Sequence, residues 1–315
     1  MPKRLPVDPS VLLILAGCVI IVAVGGIFIG NFFTSAYLLQ QLQIASFLGI
    51  LAAGAMLVIL LGHIDLSFPW TLTGSAIIVT TIGGATSSWL QDLAIPLGLA
   101  FGLLIGLING VVVAKLRIPS MVWTLAVNSM LLGIAIYYQG EHRPQGQAPE
   151  LVKTLAVGST FGVPNAFLTW VAVSAAVLWL IRGTRFGRLL FAIGNNEKAV
   201  FLAGARPERT IILAFALAGL LAGFVGILLA GYANQAYQGM GNPYLMPTIA
   251  AVVIGGTSIL GGRGNYAGTF AGALFVTLLL SALSVIQISE ATRQIIFGVL
   301  ILAMLILDGL RRRDA

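Results

Sequence analysis

The sequence predicts an all-α membrane protein that crosses the bilayer about ten times, and three observations carry that prediction. Hydrophobic residues make up 58% of the 315-residue chain and charged residues 9%. An ordinary soluble domain carries about 25% charged residues, so this chain has too few to cover a water-facing surface. The apolar residues also fall in continuous runs of roughly 20, long enough for helices to cross a hydrocarbon core of about 30 Å. A β-barrel would alternate apolar and polar residues instead. The third observation is where the basic residues fall between those runs.

Ten spans are predicted, at roughly 11–30, 40–61, 68–88, 94–114, 119–138, 165–181, 210–230, 247–260, 266–287 and 292–309. With the N-terminus in the cytoplasm, the cytoplasmic segments hold Lys3, Arg4, Lys115, Arg117, Arg182, Arg185, Arg188, Lys198, Arg206, Arg209, Arg263, Arg311, Arg312 and Arg313. That is 14 of the 17 Lys and Arg; Arg143, Lys153 and Arg293 fall outside. The positive-inside rule therefore places both termini in the cytoplasm. It also explains the net charge of +7 without a nucleic-acid partner. The basic start "MPKRLPVDPS" reads as the flank of an uncleaved first span, because no small-residue cleavage site follows it. The whole chain, 1–315, is expected to form a single transmembrane domain with a cytoplasmic loop at 182–209.

Two spans are interrupted by glycine. The second ends in "GHIDLS" and restarts at Phe68; the eighth is short and runs into "GGTSILGGRG". Both breaks fall on the cytoplasmic side, and "LAAGAMLVILLGHIDL" and "IAAVVIGGTSILGGRG" resemble each other as a degenerate internal repeat. Glycine-broken helices in matching halves line transport pathways. The 38 glycines also suit close helix packing in lipid. Candidate break or pathway residues are Gly62, His63, Asp65, Gly261, Gly262 and Gly264. Asp65 either faces the pathway or caps the third span, and "IDLS" begins a helix sensibly.

One charged island, "GNNEKAVFLAGARPER" at 194–209, separates two apolar runs. Asn195 or Asn196 can cap a helix there. Glu197 then sits in the first turn, where the helix dipole favours it. Gly204 ends the helix in a left-handed conformation and Pro207 prevents its continuation. The outcome is a helix of about two turns, roughly 10 Å long, that presents Val200 and Phe201. Such a helix either rests on lipid headgroups or docks in a groove of another protein.

Several stretches resemble one family. "TRFGRLLFAIGNNEKAVFLAG" is similar to the T-R-x-G-R and G-N-x-x-A-A-x-x-x-G of a coupling loop. "GHIDLS" resembles G-G-I-D-L-S, with His63 in place of a glycine. "IAAVVIGGTSILGGRGNYAGTFAGA" resembles A-A-V-V-x-G-G-T-S-x-x-G-G-x-G-x-x-x-G-T-x-x-G-A. These motifs identify the chain as similar to the permease subunits of ribose, xylose and arabinose ABC importers. The wider family includes branched-chain amino acid, nucleoside and autoinducer permeases. The resemblance implies an ABC importer permease fold and import of a sugar or polyol across a bacterial inner membrane. The implied partners are a periplasmic solute-binding protein and a second permease, the same or different. Cytoplasmic ATPases, two copies or one tandem copy, complete the set. It also assigns Asn195, Asn196, Glu197, Val200, Phe201 and Gly204 to the ATPase contact. The chain needs no cofactor of its own on this reading; it has no G-x-x-x-x-G-K-[ST] loop to cradle ATP phosphates.

Other chemistries lack raw material. Two His and one Cys cannot make a metal site or catalytic triad. An aspartyl protease pair has no second mid-span Asp. An ion-coupled transporter would want carboxylates in the middle of spans, and only Asp65 comes near. A polar, aromatic stretch, "GYANQAYQGMGNPYLMP" at 231–247, is expected outside the membrane as a gate or docking surface. Its Asn234, Gln235 and Tyr237 are candidates for the substrate path, together with Asn128. Asn109, Asn128 and Gln139 either join helices by hydrogen bonds or face substrate. Relatives carry Y-E-L-D where this chain has "YLMP" at 244–247, which leaves room for a second permease that keeps the acids.

Overall fold

A computed structural model of the chain describes residues 9–28, 32–84, 88–141 and 146–313. The helices are α1 (Pro9–Phe28), α2 (Ser35–Ile59), α3 (Phe68–Gly83), α4 (Ser88–Leu116), α5 (Ser120–Glu141), α6 (Glu150–Val157), α7 (Asn165–Gly183), α8 (Arg185–Leu202), α9 (Pro207–Ala233), α10 (Leu245–Ile254), α11 (Tyr266–Val285) and α12 (Glu290–Arg313). A two-residue hairpin, β1 (Ser159–Thr160) against β2 (Val163–Pro164), precedes α7. Lys3, Arg4 and Arg143, on which the orientation partly rests, lie outside the described residues.

Every predicted span falls on a helix, yet among the described residues six helices are long and apolar enough to cross a membrane by themselves: α2, α4, α5, α7, α9 and α11. The apolar parts of α1 and α3, and the stretch 242–254 that includes α10, are shorter. So the count of about ten does not follow from helix length. The shortfall has a local cause in α10. It stops at Ile254, before the expected 260, because Gly256 takes φ +85° and turns the chain away. The segment 150–164 lies between the fifth and sixth predicted spans. It forms α6 and the hairpin, with Lys153 bonded to Glu150 one turn back.

α2 is the hub. Between Ala45 and Leu60 nearly every side chain is buried, as befits a helix that is hydrophobic all round. It packs against α7, α9, α10 and α11. Close approach is built from small residues. Gly98, Gly102, Gly106 and Gly110 recur every four positions on α4, and a Cβ on Gly102, Gly106 or Gly110 would overlap the backbone of α9. This is the small-residue seam that lets helices associate where lipid removes the hydrophobic drive between them. The outer helices carry the exposed apolar surface: Leu13, Val19 and Ile27 on α1, Ile134 and Tyr137 on α5, Trp179 on α7.

Candidate functional site

The island residues sit on α8, which is longer than the predicted two turns and begins at Arg185. Thr184 caps its start by accepting from Gly187 N at 3.2 Å. Gly187 is packed against the backbone at Ile181, where a Cβ would collide. At Asn196 the backbone becomes extended (φ −161°, ψ 97°) and the helix restarts in a new direction. Of the two candidate caps it is Asn196 that acts, its Oδ1 accepting from Ala199 N at 3.0 Å. The second helix ends as the sequence predicts. Gly204 (φ +82°) donates to Phe201 O at 2.9 Å and Ala205 N to Val200 O at 3.3 Å. These are the two closing bonds of a glycine-ended helix. Glu197 pairs with Arg117, which comes from the turn between α4 and α5.

Val200 does not project outward with Phe201. It is 9% exposed and packs into the main core, whereas Phe201 is 66% and Leu202 84% exposed. On a helix of one and a half turns, residues 201 and 202 share the face away from 200. The outward apolar pair is therefore Phe201 and Leu202, the second of which the sequence analysis did not single out.

Asn195 has a different task. Its Nδ2 donates to Phe191 O at 2.8 Å and to Gly262 O at 3.0 Å. Gly262 N in turn donates to Leu60 O at 2.9 Å. Gly194 lies so close to Leu60 O and Gly262 N that a Cβ there would overlap both. Thus the start of the short helix touches both glycine breaks, and the two breaks touch each other. They are also closed alike. After α2, Gly62 N bonds Ile59 O and His63 N bonds Val58 O; after α10, Gly256 N bonds Val253 O and Thr257 N bonds Val252 O. The repeat seen in the sequence is thus a repeated helix stop, with Gly62 matching Gly256 instead of Leu260. Gly261 and Gly262 (φ +83° and +76°) carry the second break around to the first, and Gly264 packs on Thr257 and Leu60.

Asp65 is buried and serves the restart of α3. Its Oδ1 accepts from Ser67 N at 2.8 Å and Ser67 Oγ at 2.6 Å. Asn109 Nδ2 donates to Ser67 Oγ at 2.7 Å and Trp123 Nε1 to Asn109 Oδ1 at 3.0 Å. Asn109 is therefore tied into helix packing. Ser120 and Thr124 on α5 accept from Ile64 N and Leu66 N. Burial pushes the Asp65 carboxyl above its ordinary value, and the bonds from Ser67 and Asn109 oppose that shift. His63 lies near the Phe215 ring. Burial pushes its imidazole below the ordinary value; Glu197 opposes this and Arg117 adds to it.

Part of the segment 231–247 packs into the helical bundle. Gly241 packs against the backbone of Pro69 in the first turn of α3 and donates to Thr73 Oγ1 at 3.2 Å. Met240 is 2% exposed. Around this packed part lies a cavity of about 510 Å³, lined among others by Tyr37, Gln41, Tyr237, Tyr244, Glu290 and Arg293. Tyr37 bonds Ser281 through its hydroxyl. Arg293 is held by Glu290 and by Ile288 O.

A broken, glycine-packed helical bundle with these paired stops is decided by comparison. Residues 37–305 match the family model described as branched-chain amino acid transport system / permease component. The chain belongs to that permease family. It is similar to the ribose import permease protein of Escherichia coli K12, at 33% identity over 298 residues, 94% of this chain and 92% of the relative. The ribose import permease protein of Bacillus subtilis 168 is also 33% identical over 301 residues, covering 95% and 92%. The autoinducer 2 import system permease protein of E. coli O9:H4 is 36% identical over 266 residues, covering 84% and 77%. No solved structure matches the chain.

Within this permease the remaining candidates scatter. Tyr237 lines the cavity. Asn234 ends α9 in the left-handed region and accepts from Ala148 N through its carbonyl; it and Gln235 are exposed. Asn128 sits on α5 with a buried, unpartnered Oδ1, away from that cavity's lining. The side chain of Gln139 lies outside the described residues. The cavity residues that sequence reasoning missed include Tyr37, Gln41, Glu290 and Arg293. The polar run "QQLQ" at 40–43, inside an otherwise apolar helix, was the signal.

Proposed function

We propose that the chain is the permease subunit of an ATP-binding-cassette importer that moves a sugar across the inner membrane after delivery by a periplasmic binding protein. The similarity to ribose import permeases across more than nine-tenths of both chains carries this reading. The geometry supplies a route for the work. Phe201 and Leu202 form the outward apolar face of a capped helix, suited to a groove on a cytoplasmic ATPase. Gly194 and Asn195, at the other end of that helix, grip both glycine breaks. The finer assignments belong to the same proposal: ten spans, both termini cytoplasmic, a second permease of the same or different sequence, and ATPases as two copies or a tandem.

The transport step needs no chemistry from this chain. It binds, orients and releases, and ATP is used by the partner. The test is reconstitution with a binding protein and ATPase in proteoliposomes, with labelled pentoses, hexoses and a pentitol outside. ATP-dependent accumulation of one of these supports the reading. Accumulation that needs an ion gradient and no ATP refutes it. Autoinducer 2 is the second solute to test, because a permease named for it is 36% identical over 84% of the chain.

A further inference from the structure

The cavity of about 510 Å³ falls within the size range of small-molecule sites, and its chemistry is uneven. Gln41 lies on α2 at its edge and is 6% exposed, and its Oε1 has no hydrogen-bond partner. On its other side Gln41 borders a separate hollow lined by Leu15, Cys18, Val22, Leu274 and further apolar residues. Among the described residues that side supplies no good donor. A partner for Oε1 therefore has to come from the polar cavity. A buried amide oxygen without a donor is unfavourable, and a bound solute's hydroxyl would relieve it.

The rest of the lining narrows what the donor is. The two charged residues of the lining, Glu290 and Arg293, face each other at 3.5 Å. Their charges are mutually compensated, which leaves little to hold a free carboxylate or ammonium. Tyr37, Tyr237 and Tyr244 supply ring faces and hydroxyls. Burial pushes the Tyr244 phenol well above its ordinary value, so it stays neutral. A neutral solute that offers hydroxyl hydrogens and a partly apolar ring face satisfies all of these groups.

We infer that this cavity is a transient recognition site for a neutral polyhydroxylated solute in the permease itself, with the Gln41 Oε1 accepting from one of its hydroxyls. The site adds a second selection step after the binding protein. The inference rests on the reading of the chain as a sugar permease.

The test uses the complete complex in proteoliposomes, with the sugar found to be carried and its singly deoxygenated analogues, each at a concentration that saturates the binding protein. Gln41→Met removes the acceptor at nearly constant size. In the unaltered complex one analogue should move about tenfold more slowly than the parent, the scale of one hydrogen bond lost between buried partners. In Gln41→Met the parent should slow to that analogue's rate, while the analogue changes by less than twofold. Gln41→Glu keeps an acceptor and should restore the preference. If Gln41→Met does not assemble, Tyr237→Phe at the exposed rim should narrow the same ratio by about twofold to threefold. Parent and analogue slowing together in whichever variant assembles, or neither slowing, overturns the site while leaving the sugar reading intact. If no sugar is carried by the unaltered complex, the sugar reading falls and the site falls with it.

Discussion

Phe201 and Val200 are neighbours in sequence and opposites in space, and that contrast gives a sharp test of how the ATPase is engaged. Phe201 is 66% exposed. A phenylalanine side chain buries about 150–250 Å² when covered, so a docked partner would remove roughly 130 Å² of it from water. At about 25 cal/mol per Å² that is about 3 kcal/mol, or about two orders of magnitude in affinity. Phe201→Asp should therefore weaken association with the ATPase about a hundredfold. Its effect on the stability of the isolated permease should be small, because the side chain makes little of the core. Val200→Ala should do the reverse. It removes buried methyls from the core and costs about 1–3 kcal/mol of stability, with no direct effect on docking. The assay is co-purification and quantitative binding of the ATPase to detergent-solubilised variants, alongside thermal melting of each permease alone. If Phe201→Asp binds normally, or if it melts early while Val200→Ala does not, residues 196–202 lie on lipid and the assignment of the face is wrong.

The other expectations are more local. Gly204→Val places a branched side chain at φ +82°, a strain of about 1–2 kcal/mol; it should lower solute-stimulated ATP hydrolysis several-fold with insertion unchanged. Asp65→Asn keeps an acceptor for Ser67 and should retain most uptake per folded molecule, whereas Asp65→Leu strands Ser67 and Asn109 and should cut the yield of folded protein. A well-folded Asp65→Asn with no uptake would show that the carboxylate charge serves the cycle. His63 has a lowered folded pKa, so its contribution is complete above about pH 6.5, the unfolded value. That contribution declines as the pH falls from there toward the folded value. Melting temperature should drop on acidification below 6.5, and His63→Gln should remove that part of the drop.

What the sequence made legible follows from the range of each force. Helix positions were legible because burial in lipid needs a long apolar run, and each predicted span coincides with a helix. The cap at Asn196 and the stop at Gly204 were legible because both depend on backbone geometry within five residues. The packing of part of 231–247 into the bundle was not, since nothing local says that Gly241 will meet Pro69, 172 positions earlier. Val200 was misread for a similar reason. A six-residue amphipathic segment has too few turns to reveal which apolar residue faces its own chain and which faces outward.

The two glycine breaks acquire their meaning from α10, which links them to the cavity. A helix of ten residues is about 15 Å long and stiff at that length. At its end stands the Gly256 stop, in the loop whose Gly262 carbonyl holds Asn195. At its start stands Tyr244, part of the cavity lining and the residue just before Leu245. Leu60 O accepts from Gly262 N, so a displacement of residues 194–195 cannot move the second break without pulling on the end of α2. α2 in turn carries Tyr37 and Gln41, which line the same cavity. Under the proposed function, one push on the short helix reaches the cavity lining through two helices whose ends share a hydrogen bond. Glycine at 194 and 261 is what allows the backbones to come close enough for that bond, since a Cβ at either would overlap the facing backbone, while at Gly262 it would displace the Asn195 side chain.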